Sequence, residues 1–263
     1  MSLRIATWNV NSLRMRLDHL ARFCEAERPD VVCLQETKVS DEQFPHEAVV
    51  GLGYPHVLRH GQKGTNGVAI LSRRPFEAEE TLTWCGKDDR RHACVRLAGG
   101  LEIHDFYVPS GGPQPDPEVN DKFAHKLQFL DEMAAWAGTY LTGRSAVLLG
   151  DLNVAPLESD VWNHKRLLRS VGHTPGESAR IARLLEAAEL SDVPRRFVPP
   201  EQPLYTWWGY RFPAAFEKDY GWRLDHVLTT PALSGAIADC RVVKETRAWD
   251  RPSDHVPVVL DLR

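Results

Sequence analysis

"LLGDLNVAP" (residues 148–156) reads as a buried strand that stops abruptly at two polar side chains, Asp151 and Asn153, bracketing a leucine. Continuous apolar runs of this length belong to strands covered on both faces. An acid and an amide placed where such a run ends therefore sit at the rim of a core, on a rigid support. Worked outward, the chain repeats this pattern. "RIATWNV" (4–10) alternates Ile5, Thr7 and Asn9 against Ala6, Trp8 and Val10, and "DVVCLQE" (30–36) is a short buried run ending in Glu36. Between them Leu13, Leu17, Leu20 and Cys24 fall on one helical face, with Ser12 as the expected N-cap.

"NGVAILSRR", "RHACVRL" and "LEIHDFYVP" are three further expected strands. A long helix is expected over 116–141, with Asp116 as its cap, Pro117 at the first helical position, and Val119, Phe123, Leu127, Leu130 and Ala134 on its apolar stripe. "SAVLLGD" is a strand, "ESARIARLLEAAEL" a helix, and "LYTWW", "WRLDHVLT", "IADCRVVKE" and "VPVVLDLR" are strands. Strands interleaved with helices predict sheets covered by helices, an α/β or α+β sandwich.

With 263 residues, 43% apolar and 26% charged, and no repeat or low-complexity tract, the chain is expected to form one domain over 1–263. "MSLRIATWNV" lacks the apolar core of a secretory signal, and no stretch approaches a membrane span, so the expectation is a cytoplasmic protein that does not engage a membrane. Cys24, Cys33, Cys85, Cys94 and Cys240 lack C-x-x-C spacing and are odd in number, which predicts free thiols. A net charge of -4 excludes a protein that coats nucleic acid by bulk charge.

Five strand-end segments share the character of the opening stretch. "TWNVN" carries Asn9 and Asn11, "CLQETK" carries Glu36, "LLGDLNVAP" carries Asp151 and Asn153, "WRLDHVL" carries Asp225, and "SDHVPVVL" carries Asp254 and His255. A single acid at a strand end is ordinarily a turn former. Several converging acids repel one another and resist desolvation, and are retained for a cation or a reaction. Oxygen donors with few histidines and no clustered cysteine suit Mg²⁺, with Mn²⁺ as substitute, rather than zinc. Magnesium commonly completes its shell with substrate phosphate, which points to phosphate chemistry. Asp225 and His255 fit an oriented carboxylate–imidazole pair. On an extended path Asp151 and Asn153 would face the same phosphate.

In this order and at these distances, "TWNVNSLR", "LQETK", "NGVAILSR", "GDLNVAP", "GWRLDH" and "SDHVPVV" resemble the exonuclease III family of abasic-site endonucleases, within the deoxyribonuclease I-like metal-dependent phosphoesterases. The resemblance runs from Arg4 to Leu262. It implies a four-layer α/β sandwich, two packed mixed β-sheets flanked by helices. It also implies a monomeric DNA-repair nuclease acting on double-stranded DNA with abasic sites or 3′ ends. By the same resemblance Glu36 is the principal metal ligand, with Asn9, Asp254 and Asn11 close by; Asp151 orients or deprotonates the attacking water, and Asn153 holds Asp151 and the phosphate. Asp151, Asn153 and His255 complete the metal surroundings, and Tyr107 meets the scissile phosphate. Trp207, Trp222 and Leu224 would form an apolar pocket for a flipped baseless sugar. Asn66, Arg91, Lys122 and Arg211 would hold flanking phosphates without reading sequence. Trp208 is equally compatible with pocket and core.

Two departures stand out. Gly209 occupies a position where the family commonly has an Asp, and the loop from Trp207 to Asp225 is about one residue longer than usual. The balance among abasic-site incision, 3′ to 5′ exonuclease and 3′-end trimming is left open by this loop. Superfamily members acting on inositol phosphates or sphingolipids share the metal motifs but not "LQETK", "GWRLDH" and the aromatic loop. A non-catalytic relative should have lost a carboxylate, whereas Glu36, Asp151, Asp225 and Asp254 are all present.

Overall fold

The computed structural model describes residues 2–212 and 214–263. Two six-stranded mixed sheets pack face to face. The first contains β1 (Leu3–Asn9), β2 (Val31–Gln35), β3 (His56–His60), β4 (Val68–Ser72), β11 (Ile237–Val242) and β12 (Val258–Leu262), in the order β11-β12-β1-β2-β4-β3. The second contains β5 (Phe76–Glu80), β6 (His92–Leu97), β7 (Glu102–Tyr107), β8 (Ala146–Asp151), β9 (Ser191–Asp192) and β10 (Asp225–Thr229), in the order β5-β6-β7-β8-β10-β9. Outside the first sheet lie α1 (Leu17–Glu27) and the short α2 (His46–Gly51); outside the second lie α3 (Asp121–Tyr140) and α5 (Pro175–Ala187), with short helices α4 (His164–Leu167) and α6 (Pro194–Phe197) in connections. This is the expected four-layer sandwich.

The two-residue period of the strands decides where the core ends. Ile5, Cys33, Ile103, Val147, Leu149 and Val227 point between the sheets and form one buried cluster. Ala6, Trp8, Val32 and Leu34 point the other way, into the cluster beneath α1, while Ala146 and Leu148 pack against α3 and α5. Each fully buried Leu or Val contributes about 1.5–3 kcal/mol by leaving water. Followed along the inner face, the same alternation runs Ile5-Thr7-Asn9, Val31-Cys33-Gln35, Ile103-Asp105-Tyr107 and Val147-Leu149-Asp151. The inner face thus turns polar at one end of both sheets. There Asp151 stands opposite Tyr107 on one side and Asp225 on the other.

Several sequence expectations are corrected. α1 starts at Leu17: Ser12 has φ 88° and caps nothing, because residues 13–15 make a 3₁₀ turn first. α3 starts at Asp121, capped by the Asn120 side chain. Asp116 instead closes a local turn through Glu118 N–H and Asn120 N–H, leaving Val119 68% exposed and off the buried stripe. "LYTWW" is not a strand; Trp207 makes only isolated bridges to Trp222 and His255. β3, β5 and α2 were not anticipated. α5 is anchored by a capping box between Thr174 and Glu177. All five cysteines are free, and among the described residues no helix is long and apolar enough to cross a membrane.

Two contacts fix the inner seam. Gly150, with φ 130°, lets β8 run so close to β7 that a Cβ would lie 2.0 Å from the Phe106 carbonyl oxygen. Between the sheets, Gln35 Nε2 donates to Asp105 Oδ1 at 2.6 Å and to Thr7 Oγ1 at 2.9 Å. Burial pushes the Asp105 carboxyl well above the usual range, against the opposing hydrogen bond from Gln35.

Gly150→Ala is expected to cost about 2–4 kcal/mol in urea unfolding through strain and strand separation. An unchanged midpoint would contradict the close approach. For Asp105 the native state binds more protons than the unfolded chain between the unfolded carboxyl pKa, near about 4, and its raised native value, so its contribution to stability falls as pH rises through that window. Asp105→Asn keeps the acceptor for Gln35 and removes the titration. The variant should therefore gain stability relative to wild type as pH rises above the ordinary carboxyl range, and a difference that stays constant with pH would show that Asp105 is not held protonated.

Candidate active site

The polar ends of the two sheets meet in one cluster. Asn9, at the end of β1, donates from Nδ2 to Glu36 Oε1 at 3.0 Å and to Asp151 Oδ2 at 2.8 Å, so one amide bridges carboxylates belonging to different sheets. Asn9 Oδ1 accepts the Asn11 N–H at 3.0 Å. Asn11 in turn donates to Asp254 Oδ1 at 2.9 Å and accepts from Lys38 Nζ at 2.6 Å. Lys38 also pairs with Glu36 Oε2 at 2.7 Å. Burial works against the Glu36 charge, but hydrogen bonds from Asn9 and Lys38 hold its carboxyl below the usual value. Tyr107 donates its hydroxyl to Glu36 Oε1 at 2.9 Å; burial, with Glu36 and Asp151 nearby, raises its pKa well above the ordinary phenol value.

Asp225 and His255 form a buried pair. His255 Nδ1 and Asp225 Oδ2 are 2.8 Å apart, and His255 Nε2 faces Asp151 Oδ2 at 3.7 Å. Thr206 donates to Asp225 Oδ2 at 2.6 Å while accepting the Leu224 and Asp225 N–H groups. On the other side, the His255 backbone is fixed by Ser253 Oγ, which also donates to the Asn9 carbonyl, and by Trp8 Nε1, which donates to the His255 carbonyl. Burial alone would keep His255 neutral, yet the Asp225 and Asp151 carboxylates outweigh it and raise its pKa. Asp151 is displaced upward too, chiefly by burial, with Asp225 and Glu36 adding to the effect and His255 and Asn9 opposing it.

Asp151 and Asn153 do not lie on one extended path. Asn153 has φ 54°, so the chain turns after Asp151. The Asn153 N–H then donates to Asp151 Oδ1 at 2.9 Å, while its side-chain Nδ2 donates to the Val108 carbonyl. Asp151 is thus held by the backbone of residue 153 rather than by its amide. Asn153 tolerates this left-handed conformation better than most residues.

Among the described residues the tight group of acid and imidazole donors is Asp151, Asp225 and His255, whose ligand atoms lie within 4.8 Å of one another. Asp225 Oδ1 is buried without a hydrogen-bond partner. Glu36 and Asp254 stand beside this group, each with its oxygens already oriented by N–H or O–H donors. Oxygen-rich surroundings of this kind fit a hard divalent cation.

The aromatic segment borders the acids. Trp207 Nε1 donates to Asp254 Oδ2 at 2.9 Å. Trp207 and Trp222 meet edge to face, 6.2 Å between centroids, and pack with Leu224, Val161, Ala155 and Leu167 in an apolar cluster separate from the main cores. Arg223, between Trp222 and Leu224, is fully buried and clamps Asp160 and Asp192, which fixes this segment. Trp208 belongs to a core with Ala215 and Val256. Arg91 stacks over the Tyr107 ring and donates to Asn66 Oδ1. Lys122, on the first turn of α3, and Arg211, in the loop after Trp208, are exposed. Among the described residues neither makes a side-chain hydrogen bond to the acids. Sequence reading passed over Thr206, Ser253 and Lys126. Lys126 was detectable, since it lies three residues after Phe123 on an apolar stripe where a charge is out of place.

The sequence matches the Endonuclease/Exonuclease/phosphatase family over residues 6–255. It is 31% identical to exodeoxyribonuclease III of Haemophilus influenzae, over 97% of this chain and 98% of that protein. Among solved structures, the 3′ phosphatase NExo from Neisseria, bound to a product DNA hairpin, superimposes with TM-score 0.91 at 33% identity, covering 99% of both chains. An AP endonuclease from Archaeoglobus fulgidus gives TM-score 0.89 at 34% identity, covering 98% of both. Matching the family over residues 6–255 and sharing its fold with these relatives along nearly the whole length, the chain belongs to the Endonuclease/Exonuclease/phosphatase family.

Proposed function

We propose that the protein is a DNA-repair nuclease that hydrolyses the phosphodiester 5′ to an abasic site in duplex DNA and also removes nucleotides and blocking groups from 3′ ends. The supporting observation is the hydrogen bond from Trp207 Nε1 to Asp254, which joins the apolar Trp207–Trp222–Leu224 wall directly to the carboxylate cluster. A baseless sugar could rest on such a wall with its phosphate on the acids, where an intact nucleotide would be too large. The similar proteins are an exodeoxyribonuclease, a 3′ phosphatase and an AP endonuclease. Their reactions share one bond change, attack of water on phosphorus with cleavage of the bond to a 3′ oxygen. One centre therefore serves all three, and the active unit needs only one copy of the chain.

Glu36 and Asp254, with Asn9, Asp151, Asn153 and His255 around them, would hold Mg²⁺, with Mn²⁺ as substitute; when bound, the ion neutralises charge on phosphorus and on the departing 3′ oxygen. Asp151 accepts the proton of the attacking water, a task suited to a carboxyl whose proton affinity is raised by burial. His255 donates from Nε2 to a phosphate oxygen, while Asp225 holds its Nδ1–H and so fixes its orientation. Tyr107, which now donates to Glu36, can turn its hydroxyl to the phosphate. Arg91 and Asn66 hold a neighbouring phosphate as a linked pair.

Cleavage of duplexes carrying an abasic site, a recessed 3′ end or neither should cease in EDTA and return with Mg²⁺ or Mn²⁺. Asp151→Asn should lower turnover by about 10²-fold or more with DNA binding largely kept; near-normal turnover would remove Asp151 from its role. Trp222→Ala should weaken abasic-site incision by roughly 1–3 kcal/mol while metal dependence persists. If it lowers melting temperature yet leaves the preference for abasic over intact duplex unchanged, Trp222 is core rather than pocket.

A further inference from the structure

Beneath the catalytic turn lies a buried ion pair that takes no part in the chemistry above. Lys126 and Glu177 have fully buried side chains, with Nζ 2.5 Å from Oε1. A buried pair of this kind costs desolvation on both sides and is seldom kept for stability alone. Its remaining hydrogen bonds show where it acts. Lys126 Nζ donates to the Asn153 carbonyl at 2.7 Å and reaches the Ser110 carbonyl at 3.4 Å. Glu177 accepts the Gly172 N–H at 2.9 Å and the Thr174 N–H at 3.1 Å, together with the Thr174 hydroxyl. The Gly172 carbonyl then accepts the Ala155 N–H at 2.7 Å.

The pair therefore ties three loops together. One follows β7, two residues beyond Val108, whose carbonyl receives the Asn153 amide. The second is the turn from Asp151 to Ala155. The third, at residues 170–174, packs so tightly that a Cβ on Gly172 would approach Trp222 Cζ3 to 3.2 Å and the Asn153 carbonyl oxygen to 3.4 Å. The turn holding Asp151 through the Asn153 N–H and the loop behind Trp222 share this single charged anchor.

We propose that Lys126 and Glu177 are positioning residues, fixing the Asp151–Ala155 turn against the loop behind Trp222 so that the water-activating carboxylate and the lesion pocket keep a set separation. The proposal rests on the nuclease reading above. Neither residue touches substrate, and both act through the backbone they hold. A small displacement of a reacting group is enough to cost one or two orders of magnitude in rate.

The test compares Lys126→Met with the double variant Lys126→Met/Glu177→Leu. Leaving Glu177 unpaired should destabilise the single variant, whereas an apolar pair of similar volume should restore melting temperature. If the pair positions the turn, the refolded double variant should still show a kcat for abasic-site incision lowered about 10-fold or more, with KM changed by less than about 3-fold. Its amides at residues 152–155 should exchange hydrogen faster than in wild type. Wild-type kcat and exchange in a stable double variant would overturn the proposal. Should the double variant not fold, Lys126→Arg keeps the charge but changes its reach: lowered kcat with normal melting temperature supports positioning, and unchanged kcat overturns it. Exchange at 152–155 decides the matter even if the wild-type protein cuts no DNA, an outcome that would instead sink the nuclease reading.

Discussion

One amide carries the central constraint of this structure. Asn9 Nδ2 donates to Glu36 on one side of the sandwich seam and to Asp151 on the other. Without a donor shared between them, two largely buried carboxylates would face each other across the seam where the sheets should close. An amide supplies that donor without adding charge, whereas a lysine there would neutralise the acids and compete with a cation for the same oxygens. The same economy appears at Asp254, oriented by Asn11 and Trp207, and at Asp225, oriented by Thr206 and His255. Apart from Lys38 on Glu36 and the imidazole on Asp225, the donors that aim the acids are neutral, which leaves negative charge for a divalent ion.

Aiming the side chains this way strains the backbone. Asn11, Ser12, Glu36, Lys38, Asn66 and Asn153 all have positive φ, and all belong to the strand ends or loops around the acids. Such conformations in non-glycine residues cost about 1–3 kcal/mol each and persist where the surroundings over-determine them. Here the surroundings are identifiable. The Ser12 and Leu13 N–H groups donate to the carbonyls of Glu36 and Thr37, and the Thr37 and Lys38 N–H groups donate to the carbonyls of Gly67 and Asn66. Three loops are stitched by main-chain hydrogen bonds, each correcting the conformation of the next. The closely packed sandwich below is what supports this distortion, as expected when a rigid core backs a reactive rim.

The sequence made the sandwich legible because strand alternation is a local property. Ile5-Thr7-Asn9 and Val147-Leu149-Asp151 already show an apolar face becoming polar at one end, and that pattern survives in the folded chain. Helix starts were less legible, since several capping side chains competed over a few residues: Asp116 and Asn120 both close turns, and only Asn120 leads into α3. The separation of Asp151 and Asn153 misled for a related reason. Alternation applies only while the strand continues, and Asn153 is one of the few residues that readily leaves it for the left-handed region. β5 was hidden because "FEAEE" is a sparsely buried edge strand whose acids look like surface.

The aromatic loop shows how a departure from the family pattern becomes structural. Gly209 is the residue over which the Trp207 indole folds; a Cβ there would fall 2.7 Å from Trp207 Cη2. Any side chain at 209 must therefore push the indole away, and the indole is what links the apolar wall to Asp254. Absence of a side chain and placement of Trp207 are one feature. The wall is held from behind by Arg223, whose guanidinium is consumed by Asp160 and Asp192 and cannot reach substrate. The apolar recess beside the acids therefore owes its shape to two features that lie behind it, the bare backbone at Gly209 and the fully committed guanidinium of Arg223.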